Sequence, residues 1–165
     1  MARKIAYSAM LTALAMILGY VETLIPFSVG VAGIKLGLAN LVVLMGLYYM
    51  PSKQVFVILA ARIVLSAFMF GSMASLIYSM AGGVVSFWVM LGLKRLKGFS
   101  IVGVSIAGGT AHNIGQFIVA VCVLKSGGIV YYLPLLIIGG AVAGLAVGVV
   151  ARQAGGILKK YGGGR

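Results

Sequence analysis

Six apolar runs punctuate this chain, and their length constrains the fold more than any other feature. They cover about residues 5–21, 33–50, 55–70, 73–93, 99–124 and 129–151. A helix needs about 20 mostly apolar residues to cross the hydrocarbon core of a bilayer. Within lipid the backbone must satisfy its own hydrogen bonds, which restricts spanning segments to helices and closed barrels. Continuous runs of this length point to helices. Six spans would take up roughly 120 residues, which leaves room in the 165-residue chain only for short loops and tails. The expectation is therefore a single all-α integral membrane domain over 1–165, with six transmembrane helices and no separate soluble domain.

Composition agrees. The chain is 62% hydrophobic and 8% charged, where a soluble domain would carry about 25% charged residues. Disorder is excluded by the same numbers, since it requires low hydrophobicity. Thirteen Lys and Arg stand against one acid, Glu22. In a soluble protein such an excess would suggest nucleic acid. Here most of the basic residues fall between apolar runs, so membrane topology explains them and no nucleic-acid partner is expected. With the N-terminus inside, ten of them lie in inner segments: Arg3 and Lys4; Lys53; Lys94, Arg95 and Lys97; Arg152, Lys159, Lys160 and Arg165. Lys35 and Lys125 are the two outer ones, and Arg62 lies within the third run. That asymmetry follows the positive-inside rule and places both termini on the cytoplasmic side of the cell membrane. It also requires the uncharged break at Gly71-Ser72, without which later segments fall on inconsistent sides. The basic start at Arg3-Lys4 reads as the flank of a first span and not as a removable leader, because further spans follow it. Cys122 is the one cysteine, which excludes a disulfide within the chain.

Small residues recur every fourth position: Ala9 and Ala13; Gly33 and Gly37; Gly103, Ala107 and Ala111; Gly140, Gly144 and Gly148. Such rows let helix backbones approach closely in lipid.

In so apolar a chain the polar side chains within the spans are the informative positions. A charge at the bilayer centre costs about 2.5–3.5 kcal/mol on insertion scales, so it should face protein or a wet cavity. Arg62 lies mid-way along the third span. It is either satisfied internally, by Glu22 or by carbonyls, or a fixed cation for an anionic or carbonyl-rich ligand. Glu22 ends the first span; it pairs with Arg62 or Lys35, or it is a plain interfacial residue. Lys35 begins the second span, where a helix N-terminus already favours anions, and it either contributes to a site or snorkels. Asn40, deeper on the same segment, needs a partner. His112 and Gln116 share one face of the fifth span, with Asn113 beside them. One His among amides is a poor metal site, since zinc takes three or four good ligands. Lys35, Asn40, Arg62, His112, Asn113 and Gln116 are thus the candidate binding residues, with Glu22 balancing charge at the rim. A cavity joining them would open outward and be positive.

Other chemistry is missing. No Walker A sequence couples ATP. No Asp is present at all, so no Asp-rich cluster holds Mg²⁺ and a diphosphate. These gaps argue against catalysis by this chain alone, and no cofactor or metal is expected.

Gly33-Ile-Lys-Leu-Gly-Leu-Ala-Asn-Leu41, Ser79-Met-Ala-Gly-Gly-Val-Val-Ser86 and Ala111-His-Asn-Ile-Gly-Gln116 resemble the Gx transporter family, also described as heptaprenyl diphosphate synthase component I. That family is similar to the substrate-binding S components of energy-coupling factor (ECF) transporters. The resemblance implies a six-helix bundle that binds a vitamin-like molecule near its outer face. It also implies docking on a shared ECF transmembrane subunit with two ATPases, and Ala9 and Ala13 match the Ala-x-x-x-Ala contact such proteins use on their first helix. The expected function is a substrate-binding subunit for uptake of a small, anionic vitamin- or cofactor-like metabolite: a flavin, a quinone or isoprenoid precursor, or another vitamin-like compound. The alternative is a membrane subunit that assists heptaprenyl or polyprenyl diphosphate synthesis. A third reading is an assembly subunit of a redox complex.

Overall fold

In a computed structural model, residues 2–24, 37–96, 98–125 and 127–162 are described. They form six α-helices and no strand among the described residues: α1 (Ala2–Leu24), α2 (Leu38–Tyr49), α3 (Ser52–Phe70), α4 (Met73–Arg95), α5 (Ile101–Leu124) and α6 (Leu133–Gly162), with a 3₁₀ turn over Gly127–Tyr132 before α6. All but α2 are long and apolar enough to cross a membrane. The 12 residues of α2 rise about 18 Å at 1.5 Å each, short of the ~30 Å core. The expected start of that span, at residue 33, lies outside the described residues.

Local chemistry sets the ends. α3 and α4 are separate helices, as the charge count required: Gly71 is extended, and the Ser72 hydroxyl accepts from the Ser75 N–H at 3.2 Å. Ser100 caps α5 in the same way, accepting from Gly103 N–H at 3.1 Å. Serine in this position satisfies one of the free amides of a helix start. Pro51 immediately precedes α3, which turns the chain sharply after α2.

α5 is the central helix, packed most extensively against α6 and α4. The seam with α6 is built from small residues. A Cβ on Gly109 would collide with the Gly140 carbonyl, and one on Gly144 would lie 2.5 Å from the Ser105 oxygen. Gly148 completes the row against Val102 and Ser105. The Gly140-Gly144-Gly148 row is therefore a packing seam within the chain. The expected row Gly103, Ala107 and Ala111 is not its counterpart; the α5 face that meets it carries Val102, Ser105, Ile106, Gly109 and Thr110. On another side of α5, Gly115 meets Ala81 and Gly82 of α4. Asn113, 7% exposed, reinforces the α5–α6 seam by donating from Nδ2 to the Leu136 carbonyl at 2.8 Å.

The apolar core lies towards one end of the bundle, around Leu44, Leu47, Val55, Leu59, Phe87 and Val104. Lys53, Lys94, Arg95 and Arg152 stand at that end. The Lys94 ammonium donates to the Leu47 carbonyl near the end of α2 and sits 5.4 Å from the centre of the Tyr48 ring. The other end of the bundle is less well filled, and the cavity described next opens there.

Candidate functional site

A cavity of about 190 Å³ lies between α1–α6. Its mouth is ringed by Glu22 of α1, Gly37 before α2, Phe70 at the end of α3 with Gly71 after it, and Ser75 of α4; it runs inward to Leu44, Met90 and Val147. Typical sites for drug-sized ligands are roughly 300–1,000 Å³. The cavity therefore suits a small molecule, or the head of a larger one whose remainder leaves through the mouth.

Glu22 is placed by the chain in an unexpected way. Its carboxylate accepts from Gly37 N–H at 2.6 Å and from Leu38 N–H at 3.2 Å. Gly37 has φ 76, in the left-handed region, where glycine carries no steric penalty. The carboxylate thus meets the free amides and positive dipole end of α2 from outside the helix. Of the roles open to Glu22, the described residues show its carboxylate hydrogen-bonded to the two amides at the start of α2. Lys35 itself lies outside the described residues.

Arg62 and Asn40 form the polar wall. Arg62 Nη2 donates to Asn40 Oδ1 at 2.8 Å. This satisfies the polar group that α2 carries and joins α2 to α3 across 22 residues. The pairing uses part of the guanidinium: Arg62 Nε is buried and has no hydrogen-bond partner among the described residues. A buried donor in that state costs free energy unless something accepts from it. Across the cavity stand His112, Asn113 and Gln116 of α5. α4 comes so close there that a Cβ on Gly82 would lie 2.8 Å from the His112 carbonyl oxygen and 2.9 Å from the Gln116 side chain.

Five of the six expected binding residues, all but Lys35, therefore line one cavity, with Glu22 at its rim. Asn113 has a structural hydrogen bond as well. Ala9 and Ala13 are exposed on α1, within a surface that also presents Met10, Leu14, Ile17 and Tyr20. Among the described residues no group of His, Cys, Asp or Glu could hold a metal ion. Sequence reasoning passed over the serines. Ser75, Ser79 and Ser86 of α4, Ser66 of α3 and Ser105 of α5 all line the cavity. The signal was available: Ser75, Ser79, Gly82 and Ser86 recur at helical spacing and share one face.

The fold and this cavity define a multi-pass α-helical membrane protein with a polar pocket, holding Arg62, between its helices. Residues 11–154 match the family model described as heptaprenyl diphosphate synthase component I, and the chain belongs to that family. No similar protein of curated function and no similar solved structure was found.

Proposed function

We propose that this protein is a substrate-binding membrane subunit that works with separate partner proteins. The observation that carries this reading is the buried Arg62 guanidinium. Its Nη2 is held by Asn40, its Nε is unpartnered among the described residues, and both residues line the cavity. A cation kept in an apolar bundle at such cost marks a ligand path or site. Its complement is an anionic or carbonyl-rich group. The basic end of the bundle faces the cytoplasm in this reading, both termini are inside, and the cavity opens outward.

Two larger systems would use such a subunit, and different observations favour each. The family's description favours a component of a polyprenyl diphosphate synthase, in which the cavity would take the charged head and the bilayer the apolar tail. A protein partner would supply the carboxylates for catalysis, since this sequence has no Asp and its one Glu is engaged by α2. In the orientation proposed above, the mouth would suit uptake of a small vitamin- or cofactor-like metabolite in the manner of an S component, with an ECF-type module supplying ATP hydrolysis. At about 190 Å³ the cavity would enclose only part of a flavin or a prenylated quinone.

Native mass spectrometry of the protein released from gentle detergent tests the proposal. A bound small molecule that disappears in Arg62→Met supports it. A vitamin-like compound would select uptake, and a prenyl diphosphate would select the synthase component. An empty protein that retains only another polypeptide would overturn ligand binding and leave the assembly-subunit reading.

A further inference from the structure

Ser86 is 2% exposed, lines the inner part of the cavity, and its hydroxyl has no hydrogen-bond partner among the described residues. That is unusual for a helical serine, which commonly returns its hydroxyl to the carbonyl four residues back. Thr12 of α1 behaves in that way, donating to the Ser8 carbonyl at 2.8 Å. Ser86 does not, and it lies on the face of α4 that Ser75 and Ser79 turn to the cavity. Two buried polar groups, Arg62 Nε and Ser86 Oγ, thus border one small space without a protein partner among the described residues.

The register places them at different depths. Gly83 of α4 abuts Ile63, the neighbour of Arg62, and Gly82 abuts His112. Ser86 lies one turn deeper, beside Gly108 of α5, which is itself one turn from His112. Four residues of helix correspond to about 6 Å. The inner lining beside Ser86 is Leu44, Met90 and Val147, with Ser105 of α5; none of these carries a charge, so it offers nothing to pair with a second ionic group. A hydroxyl is a donor and an acceptor without charge, so it matches a neutral polar group.

We infer that Ser86 is a second recognition point, and that the ligand is a small organic anion with a neutral hydrogen-bonding group, such as a hydroxyl, at the end opposite its acidic group. The acidic group would lie on Arg62, and the neutral group one helical turn deeper on Ser86. This inference rests on the reading of Arg62 given above, and its test separates the two.

The probes are benzoate and 4-hydroxybenzoate, rigid and alike except for the hydroxyl opposite the carboxylate. Their binding to purified protein in detergent is measured by calorimetry for wild type, Ser86→Ala and Arg62→Met. Wild type should bind 4-hydroxybenzoate at least tenfold more tightly than benzoate. Ser86→Ala should abolish that preference while leaving benzoate affinity unchanged, and Arg62→Met should lose both. The unliganded Ser86→Ala protein should melt at the wild-type temperature or above it, since an unpartnered buried hydroxyl has been removed; this separates a recognition role from a structural one. Equal binding of the two probes, still dependent on Arg62, would overturn the role of Ser86 and leave the Arg62 site standing. No binding of either probe would overturn both.

Discussion

Glu22 Oε1 accepts a 2.6 Å hydrogen bond from the backbone N–H of Gly37, and so fastens the end of α1 to the start of α2. The one acidic side chain of the protein closes a helix that begins beside the cavity. Glu22→Ala should lower stability by about 1–2 kcal/mol, the range for losing a helix cap. Glu22→Gln keeps an acceptor and should lose less than half of that. Thermal unfolding of the three proteins in one detergent gives the comparison, and equal melting of Glu22→Ala and wild type would show that the cap contributes nothing.

Asn40 and Arg62 differ in what their removal leaves behind. Asn40→Ala strips the guanidinium of its partner, which should cost about 1.5–3 kcal/mol, the range for hydrogen bonds to charged groups. Arg62→Met removes the charge and keeps an apolar stem. Replacing a buried charge with an apolar residue is often neutral or stabilising, so this variant should be the more stable of the two. The opposite order in a denaturation experiment would make Arg62 a structural residue.

Glycines of the central helices should divide sharply by environment. Gly109→Ala drives a methyl into the Gly140 carbonyl, and its backbone target cannot move aside; a loss of about 3 kcal/mol or more, at the top of the overpacking range, is expected. Gly92 of α4 has nothing near its open side. Gly92→Ala should therefore gain up to about 1 kcal/mol from helix propensity. Comparing monodisperse yield and melting temperature of the two variants checks both signs.

Orientation can be read with thiol chemistry. Cys122, the one cysteine, is exposed near the end of α5, so Cys122→Ser provides a thiol-free background. In that background Lys125→Cys should react with a membrane-impermeant maleimide in intact cells. Lys53→Cys should react only after the membrane is opened. The reverse pattern would place the cavity mouth on the cytoplasmic side.

Five of the six expected spans were legible in the sequence because lipid imposes a length and a polarity that composition expresses directly. Even the uncharged break at Gly71-Ser72 followed from the distribution of Lys and Arg. The meeting of Asn40, Arg62, His112, Asn113 and Gln116 at one cavity was anticipated on the principle that intramembrane polar groups converge. Their individual partners were not legible. The hydrogen bonds of Glu22 were not legible because the free amides of α2 exist only once the helix has begun at Leu38. The α5–α6 seam was half visible: the glycine row on α6 is regular, but its counterpart mixes valine, serine, isoleucine and glycine and has no period of its own. Ser86 escaped notice because a serine that bonds back to its own helix and one that waits for a ligand read identically as letters.

The cavity is made by subtraction. Its walls hold serines, alanines and glycines from several helices where the neighbouring core holds leucine, valine and phenylalanine, so its volume is set by side chains that stop short. A space of this kind is emptied or filled by one or two carbon atoms at a time. Trading Ser for Ala or Thr along a single face of α4 therefore reshapes the cavity, with the glycine seam that carries the bundle left untouched.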